Sequence, residues 1–422
     1  MSEDCLTLNV TAPEAPADEG LPVMVFIHGG AYILGSSATP IYDGATLARG
    51  GCVYVSVNYR LGALGCLDLS SLSTPDDVIE SNLFLRDLVM ALEWVRDNIA
   101  VFGGDPDNVT IFGESAGAQA VVALLAVPSA KGLFHRAISE SPAAGVTRSQ
   151  DLAARFAQRF ATLIGARRSD AAHALKVARP HDLVNAVDKL IVNPSTALFG
   201  AFPLGPSYGD DVLPVEPLEA MRTGVAHRVP VIVGTNADEG RLFTRFLRIL
   251  PTTEHAVEAM LGGAGSAIRD RIIDAYPGYP APAACARIGG DFAFTSAVWQ
   301  VAEARAAASP TYVYRYDYAP RPLHWSGLGA THATELFAVF DVYRSRLGAA
   351  LTLVGDRKAA RRVSNDVQRC WREFARTGKP GGGWPPYNLH DRAVMVFDRN
   401  PGIEFDPHPE RRGAWDGFTL TN

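Results

Sequence analysis

An apolar run, Val109 to Phe112, leads directly into Gly113-Glu114-Ser115-Ala116-Gly117, and a stretch rich in Ala, Val and Leu, Ala118 to Val127, follows it. A strand that hands over to a helix through glycines two residues either side of a serine predicts a tight, strained turn, because side chains at those positions would clash. Strand-turn-helix units of this kind belong to a parallel sheet with helices on both faces.

The rest of the chain keeps the same alternation. Leu6 to Val10, Val23 to Ile27, Cys52 to Val57, Arg136 to Ser139, Val229 to Gly234 and Thr311 to Tyr316 read as further strands. Leu85, Leu88, Val89, Leu92, Val95 and Ile99 fall at helical spacing, and Gly103-Gly104-Asp105-Pro106 stops that helix. Residues 148 to 190 and 250 to 310 are rich in Ala and Arg and read as helical insertions at one end of the sheet. Gly378 to Tyr387 reads as a surface loop. With no repeat and no clear linker, the expected architecture is one α/β domain over residues 1 to 422 with a mainly parallel sheet.

Composition narrows the function classes. The net charge of -6 comes without a Lys/Arg cluster, which argues against a nucleic-acid partner. No apolar run is long enough to span a bilayer. The opening residues lack a basic stretch followed by an apolar one, so the expectation is a cytoplasmic protein. Cys5, Cys52, Cys66, Cys285 and Cys370 are scattered and lack metal-ligand spacing, so they read as buried or incidental thiols, and no metal or other cofactor is expected. Asn9-Val10-Thr11 and Asn108-Val109-Thr110 match a glycosylation pattern but lie in strand-like runs.

A serine on such a turn becomes a nucleophile only with a base, an acid that orients the base, and backbone donors for the oxyanion. His28-Gly29-Gly30-Ala31, directly after a strand, supplies candidate donors at Gly30 and Ala31, and Ala116 supplies a second set. In chain order the acid and then the histidine follow the serine. Asp238 and Glu239, just past the 229 to 234 strand, are both candidate acids. Among the later histidines, His332 and His324 are the candidate bases, both after the 311 to 316 strand.

Taken together, Ser2-Glu3-Asp4-Cys5-Leu6, Phe26-Ile27-His28-Gly29-Gly30, Asn58-Tyr59-Arg60-Leu61-Gly62, Phe102-Gly103-Gly104-Asp105-Pro106 and Gly113-Glu114-Ser115-Ala116-Gly117 resemble the type-B carboxylesterase family. Gly234-Thr235-Asn236, Asp238-Glu239-Gly240, Gly329 through His332 to Glu335, Ala375-Arg376-Thr377-Gly378 and Trp384-Pro385-Pro386-Tyr387 extend the resemblance to nearly the whole chain. The resemblance implies the α/β-hydrolase fold and a serine hydrolase that cleaves small carboxylic esters through an acyl-enzyme. It implies Ser115, Glu239 and His332 as the triad, Gly30, Ala31 and Ala116 as the oxyanion hole, and Ser141 as a serine that steadies the acid. Arg60 is then expected in a structural ion pair. The family usually carries a further stretch before the Ser-Glu-Asp-Cys-Leu segment, and any disulfide partner of Cys5 is expected there. Amides, carbamates and lactones are alternative substrates of the same triad, and a non-catalytic binding protein is the remaining alternative. The pocket walls are expected from the helical insertions, with Phe202, Phe243, Phe292 and Phe294 as candidates. Oligomeric state is left open.

Overall fold

The structure is a computed structural model that describes residues 2–14, 20–143, 147–167, 169–192 and 202–418. Its strands are β1 (Leu8–Thr11), β2 (Leu21–Ile27), β3 (Val53–Val57), β4 (Gly104–Glu114), β5 (Arg136–Glu140), β6 (Arg148–Ser149), β7 (Ser207–Tyr208), β8 (Val231–Asn236), β9 (Thr311–Tyr316), β10 (Ala393–Phe397) and β11 (Gly402–Phe405). Nine of them form one sheet in the order β1-β3-β2-β4-β5-β8-β9-β10-β11, and β6 pairs with β7 apart from it. The inner strands run parallel, while β1 and β11 close the two edges antiparallel.

Side-chain alternation shows why this sheet needs cover on both faces. In β2, Val23, Val25 and Ile27 enter one apolar cluster, and Met24 and Phe26 enter another. A strand apolar on both faces is stable only between two layers. The Leu83–Asn98, Ala116–Leu124 and Gln150–Leu163 helices supply the first layer through residues such as Leu88, Leu92, Val121 and Phe156. The 21-residue Arg357–Thr377 helix supplies the second, with Val363, Val367, Trp371 and Phe374 against Phe112, Ile138 and Tyr314. It stops at Gly378, whose φ of 78° is the left-handed conformation that ends helices.

The expected strands are all present, with shifted ends. The strand expected at Leu6 to Val10 runs Leu8–Thr11, and Val229 to Gly234 becomes Val231–Asn236. The largest shift is in β4, which already begins at Gly104, inside the segment read as a helix stop. Gly103, at φ 79°, turns the chain there, and Gly104 pairs at once with Leu21 of β2. The expected helical regions contain Gln150–Leu163, Ala171–Val177 and Pro180–Val192, and then Glu254–Leu261, Ser266–Asp274, Pro282–Gly290 and Ser296–Arg305. The first three of the second group pack around a separate apolar cluster with Phe243, Leu261, Ile288 and Trp415, while Ser296–Arg305 places Val298, Val301 and Ala302 in the first cluster. Residues 378 to 387 hold no helix or strand. Among the described residues, no helix is long and apolar enough to cross a membrane, and no disulfide links the five cysteines.

Candidate active site

The parallel register brings the C-terminal ends of β2, β4, β5, β8 and β9 together along one edge of the sheet. Ile27 lies opposite Gly113, Glu114 opposite Glu140, and Glu140 opposite Gly234. The turns that leave these strands carry the candidate residues. This is where ligands bind in open α/β sheets.

Ser115 joins β4 to the Ala116–Leu124 helix with φ 58° and ψ -119°, a conformation that a non-glycine residue rarely adopts. The flanking glycines are required by contact. A Cβ on Gly117 would lie 2.0 Å from the Ile27 carbonyl oxygen, and one on Gly113 would lie 2.6 Å from it. The Ser115 N–H is tied to Glu140 O at 2.9 Å. The neighbouring loop is held by His28, whose Nδ1 lies 2.8 Å from Gly29 O and whose ring stacks on Tyr59 at 4.6 Å. Burial pushes the His28 imidazole down from its ordinary pKa, which favours a neutral, structural ring. Gly30 and Ala31 both have positive φ, at 119° and 52°. Their N–H groups, and that of Ala116, donate to no described residue. Three backbone donors thus stay free beside the serine turn.

Glu239 opens a short helical turn after β8. Its Oε1 accepts from Ser141 Oγ at 2.6 Å and from the Asn236 N–H at 2.7 Å. Its Oε2 lies 2.6 Å from His332 Nδ1. This is the acceptor-only set of a carboxylate, and it fixes the imidazole with its proton on Nδ1. Gly240 must be glycine, since a Cβ there would meet Ala286 O at 1.8 Å. Asp238 instead pairs with Arg241 at 2.9 Å and stays partly exposed. His324 lies exposed on the Arg321–Trp325 helix. Of the paired candidates, then, Glu239 and His332 share a hydrogen bond, while Asp238 pairs with Arg241 instead.

His332 Nε2 lies 3.1 Å from Glu114 Oε1, off hydrogen-bond geometry, and neither atom has a hydrogen-bond partner. The Ser115 hydroxyl, on the next residue after Glu114, makes no hydrogen bond to His332 in this structure. Such contacts are often loose without substrate and tighten in its presence. One face of the imidazole is covered by Phe294, stacked at 4.2 Å, with Phe243 at 5.2 Å. Phe294 sits in a π-helical turn, Asp291–Thr295, that interrupts the helix continuing to Arg305. Such bulges re-aim side chains at functional sites. The other two aromatic candidates have different partners. Phe292 packs on Trp415 and Phe418 in the third core, and Phe202 packs on the first sheet face, because large aromatics fill interiors by default.

Sequence reasoning missed the polar surroundings of this pair. Glu114, Glu140, Glu239 and Glu335 are all buried within the site's floor. Burial, with the nearby Glu239, pushes Glu114 and Glu335 well above the ordinary carboxyl range. Asn236 Nδ2 donates to Glu335 Oε2 at 2.5 Å. Glu140 is pushed up to about 8 by burial, against the opposing pull of Trp371 Nε1, which donates to it at 2.6 Å. Holding these three carboxyls neutral avoids a cluster of buried like charges. The Glu-x-x position after His332 and the residue before Ser115 were visible as motif letters, but nothing in the sequence placed them against one another. Arg60 makes the expected ion pair, with Asp87 at 2.6 Å, away from the triad candidates.

The Glu140 carboxyl predicts a pH signature. Between its ordinary value of 4.5 and about 8, the folded protein keeps a proton that the unfolded chain has lost. Its contribution to stability is therefore full below about pH 4.5 and is lost as pH rises through about 8. Glu140→Gln keeps the acceptor for Trp371 and removes the titration. Denaturant unfolding across pH should show a shallower decline for the variant, with its advantage over wild type largest at about pH 8 and above.

The chain is similar to known proteins over most of its length. The sequence profile described as the Carboxylesterase family matches residues 1–415. The para-nitrobenzyl esterase of Bacillus subtilis (strain 168) is 37% identical over 97% of this chain and 82% of its own length. The fumonisin B1 esterase of Sphingopyxis macrogoltabida is 34% identical over 95% of this chain and 74% of its own. A solved structure of a PNB esterase superposes with a TM-score of 0.83 at 36% identity, over 98% of this chain and 85% of that one. On these grounds the chain belongs to the carboxylesterase family, has the α/β-hydrolase fold and is a serine hydrolase of carboxylic esters.

Proposed function

We propose that Ser115, His332 and Glu239 form the catalytic triad of this esterase, with the N–H groups of Gly30, Ala31 and Ala116 as its oxyanion hole. The observation that carries this reading is the conjunction of a strained Ser115 turn with a His332 ring whose Nδ1 is bound to Glu239 and whose Nε2 is unoccupied. A ring held with its proton on Nδ1 has a basic Nε2, and that nitrogen takes the proton from Ser115 Oγ as the oxygen attacks the ester carbonyl.

The carbonyl C=O becomes a C–O⁻ as the new Ser115 Oγ–C bond forms, and the three backbone N–H groups stabilise that charge. Collapse re-forms the carbonyl and breaks the bond to the alkoxy oxygen, which leaves as the alcohol with the proton from His332. Water then gives a proton to His332 and attacks the acyl-enzyme. Collapse of the second oxyanion releases the carboxylic acid, and the proton returns to Ser115. Glu239 stays ionised throughout and stabilises the imidazolium between the two half-cycles. Ser141 and Asn236 hold the carboxylate in place. Phe294 and Phe243 exclude water from one side of the ring, and the neutral Glu114 adds no competing charge.

A two-step mechanism predicts a burst. Mixing the enzyme with excess para-nitrophenyl acetate should release about one equivalent of nitrophenol per active site before the steady state, wherever deacylation is the slower step. Stopped-flow absorbance measures it. A linear trace with no acyl-enzyme detectable by rapid-quench mass spectrometry would count against a covalent intermediate.

A further inference from the structure

The chain as a whole carries more acid than base, 45 Asp and Glu against 39 Lys and Arg. Two segments of the chain reverse that balance. Residues 241–253 contain no carboxylate, and residues 318–365 contain only Glu335, Asp341 and Asp356, each at most 5% exposed. The same two segments expose Arg245, Arg248, Arg321, Arg344, Arg346, Arg357, Lys358 and Arg362. Among the described residues, only Arg321 and Arg344 of these eight make ion pairs, with the buried Asp356 and Asp341.

This basic face is also apolar. Leu353 is 83% exposed, Trp325 68% and Phe246 67%, and Leu347, Val354 and Leu247 lie open beside them. The segments are joined. Arg321 Nη1 donates to Val354 O at 3.0 Å, which links the Arg321–Trp325 helix to the 352–356 loop. A Cβ on Gly327 would lie 3.4 Å from Arg245 Nη2, which sets the 245–247 segment against the end of that helix. Exposed aromatic and aliphatic side chains beside mostly unpaired cations mark an interaction surface rather than ordinary solvated polarity.

We propose that this face docks the protein on an anionic lipid surface. Trp325, Leu353 and Phe246 enter the boundary between headgroups and acyl chains, and the arginines and Lys358 meet the lipid phosphates. A basic patch gains affinity for each cation near such a surface, and the apolar side chains gain by insertion. Other occupants fit less well. A second copy docked face to face would set like charges against each other. A nucleic-acid backbone would use the cations and leave Leu347, Leu353 and Val354 in water.

The Arg321–Trp325 helix leads directly into the loop that carries His332, so docking would turn the candidate site toward the bilayer. That orientation rests on the esterase reading; the docking does not, and it is measured without hydrolysis.

The test is flotation of the whole protein with two sets of vesicles, one of equal parts phosphatidylglycerol and phosphatidylcholine, the other of phosphatidylcholine alone. The protein should float with the first and not the second, and added salt should release it. Arg357→Gln combined with Lys358→Gln should weaken binding by about thirtyfold. Trp325→Ser combined with Leu353→Ser should also weaken it and should remove the blue shift of tryptophan fluorescence on binding. Both pairs are on the surface, so circular dichroism and turnover of a soluble short-chain ester should match wild type. Failure to float with the anionic vesicles, equal binding to both vesicle types, or binding that neither variant changes would overturn the proposal. So would a concentration-dependent dimer that Trp325→Ser with Leu353→Ser dissolves, which would assign the face to a second copy.

Discussion

Ser115→Ala should lower kcat for a short-chain aryl ester by about five to six orders of magnitude while leaving the protein folded. The size follows from what is removed. Without the hydroxyl, no acyl-enzyme forms, and His332 and the backbone donors can at best assist a direct attack by water. Residual turnover above the uncatalysed rate should survive at the level that an oxyanion hole and substrate binding supply alone. The fold should tolerate the change, because alanine meets the same backbone strain at φ 58° and removes only one hydroxyl. The measurements are initial rates against substrate concentration and a thermal melt. Near wild-type kcat in a folded variant would show that another residue attacks the ester.

Glu239→Gln should reduce kcat by about four orders of magnitude with little change in KM. The three shortest hydrogen bonds to Glu239 come from separate groups: Ser141 Oγ, the Asn236 N–H and His332 Nδ1. A carboxamide has one oxygen and one NH2, so it cannot accept from all three. If its oxygen stays with Asn236 and Ser141, the NH2 faces His332 Nδ1. The ring must then accept there and carry its proton on Nε2, where it can no longer take one from Ser115. If the amide flips, its NH2 opposes the Asn236 N–H in a buried place, and stability falls by about 1–3 kcal/mol. Activity and denaturant midpoint together separate the two arrangements. Asp238→Asn is the matched control. Asp238 pairs with Arg241 away from the imidazole, so its loss should leave kcat within a few fold of wild type.

Much of this site could be read from residue order, and the reasons for success and failure are physical. The Ser115 turn was legible because its glycines are imposed by contact with Ile27 O, and steric necessity writes itself into the sequence as a fixed spacing. The ends of β9 were legible because β-branched and aromatic residues run from Thr311 to Tyr316 with turn residues beyond. Order alone left Asp238 and Glu239 equal, since neighbouring carboxylates point in different directions and only the turn shows which. The turn is set by the close approach of Gly240 to Ala286 O, a contact across 46 residues that no local pattern encodes.

The neutral carboxyls around the triad candidates were illegible for the same reason. Glu335 meets Asn236 across 99 positions, and Glu140 meets Trp371 across 231. The long Arg357–Thr377 helix, β10 and β11 were not singled out by the motif-led reading, although Val363, Val367, Trp371 and Phe374 do follow a helical period. Among the aromatics, Phe292 and Phe294 differ by two residues and share one π-helical turn and one apolar cluster. Only Phe294 stacks on His332, while Phe292 meets Trp415, and that difference leaves no mark in composition.

In the proposed triad, His332 held by Glu239 activates the Ser115 hydroxyl. Reaction with a fluorophosphonate, followed by digestion and mass mapping, tests it most directly. One phosphonyl group should appear per chain, on the peptide that carries Ser115, and the labelling rate should fall sharply in Glu239→Gln. A folded sample that takes no label at Ser115, or takes it elsewhere at the same rate in wild type and Glu239→Gln, would contradict the account.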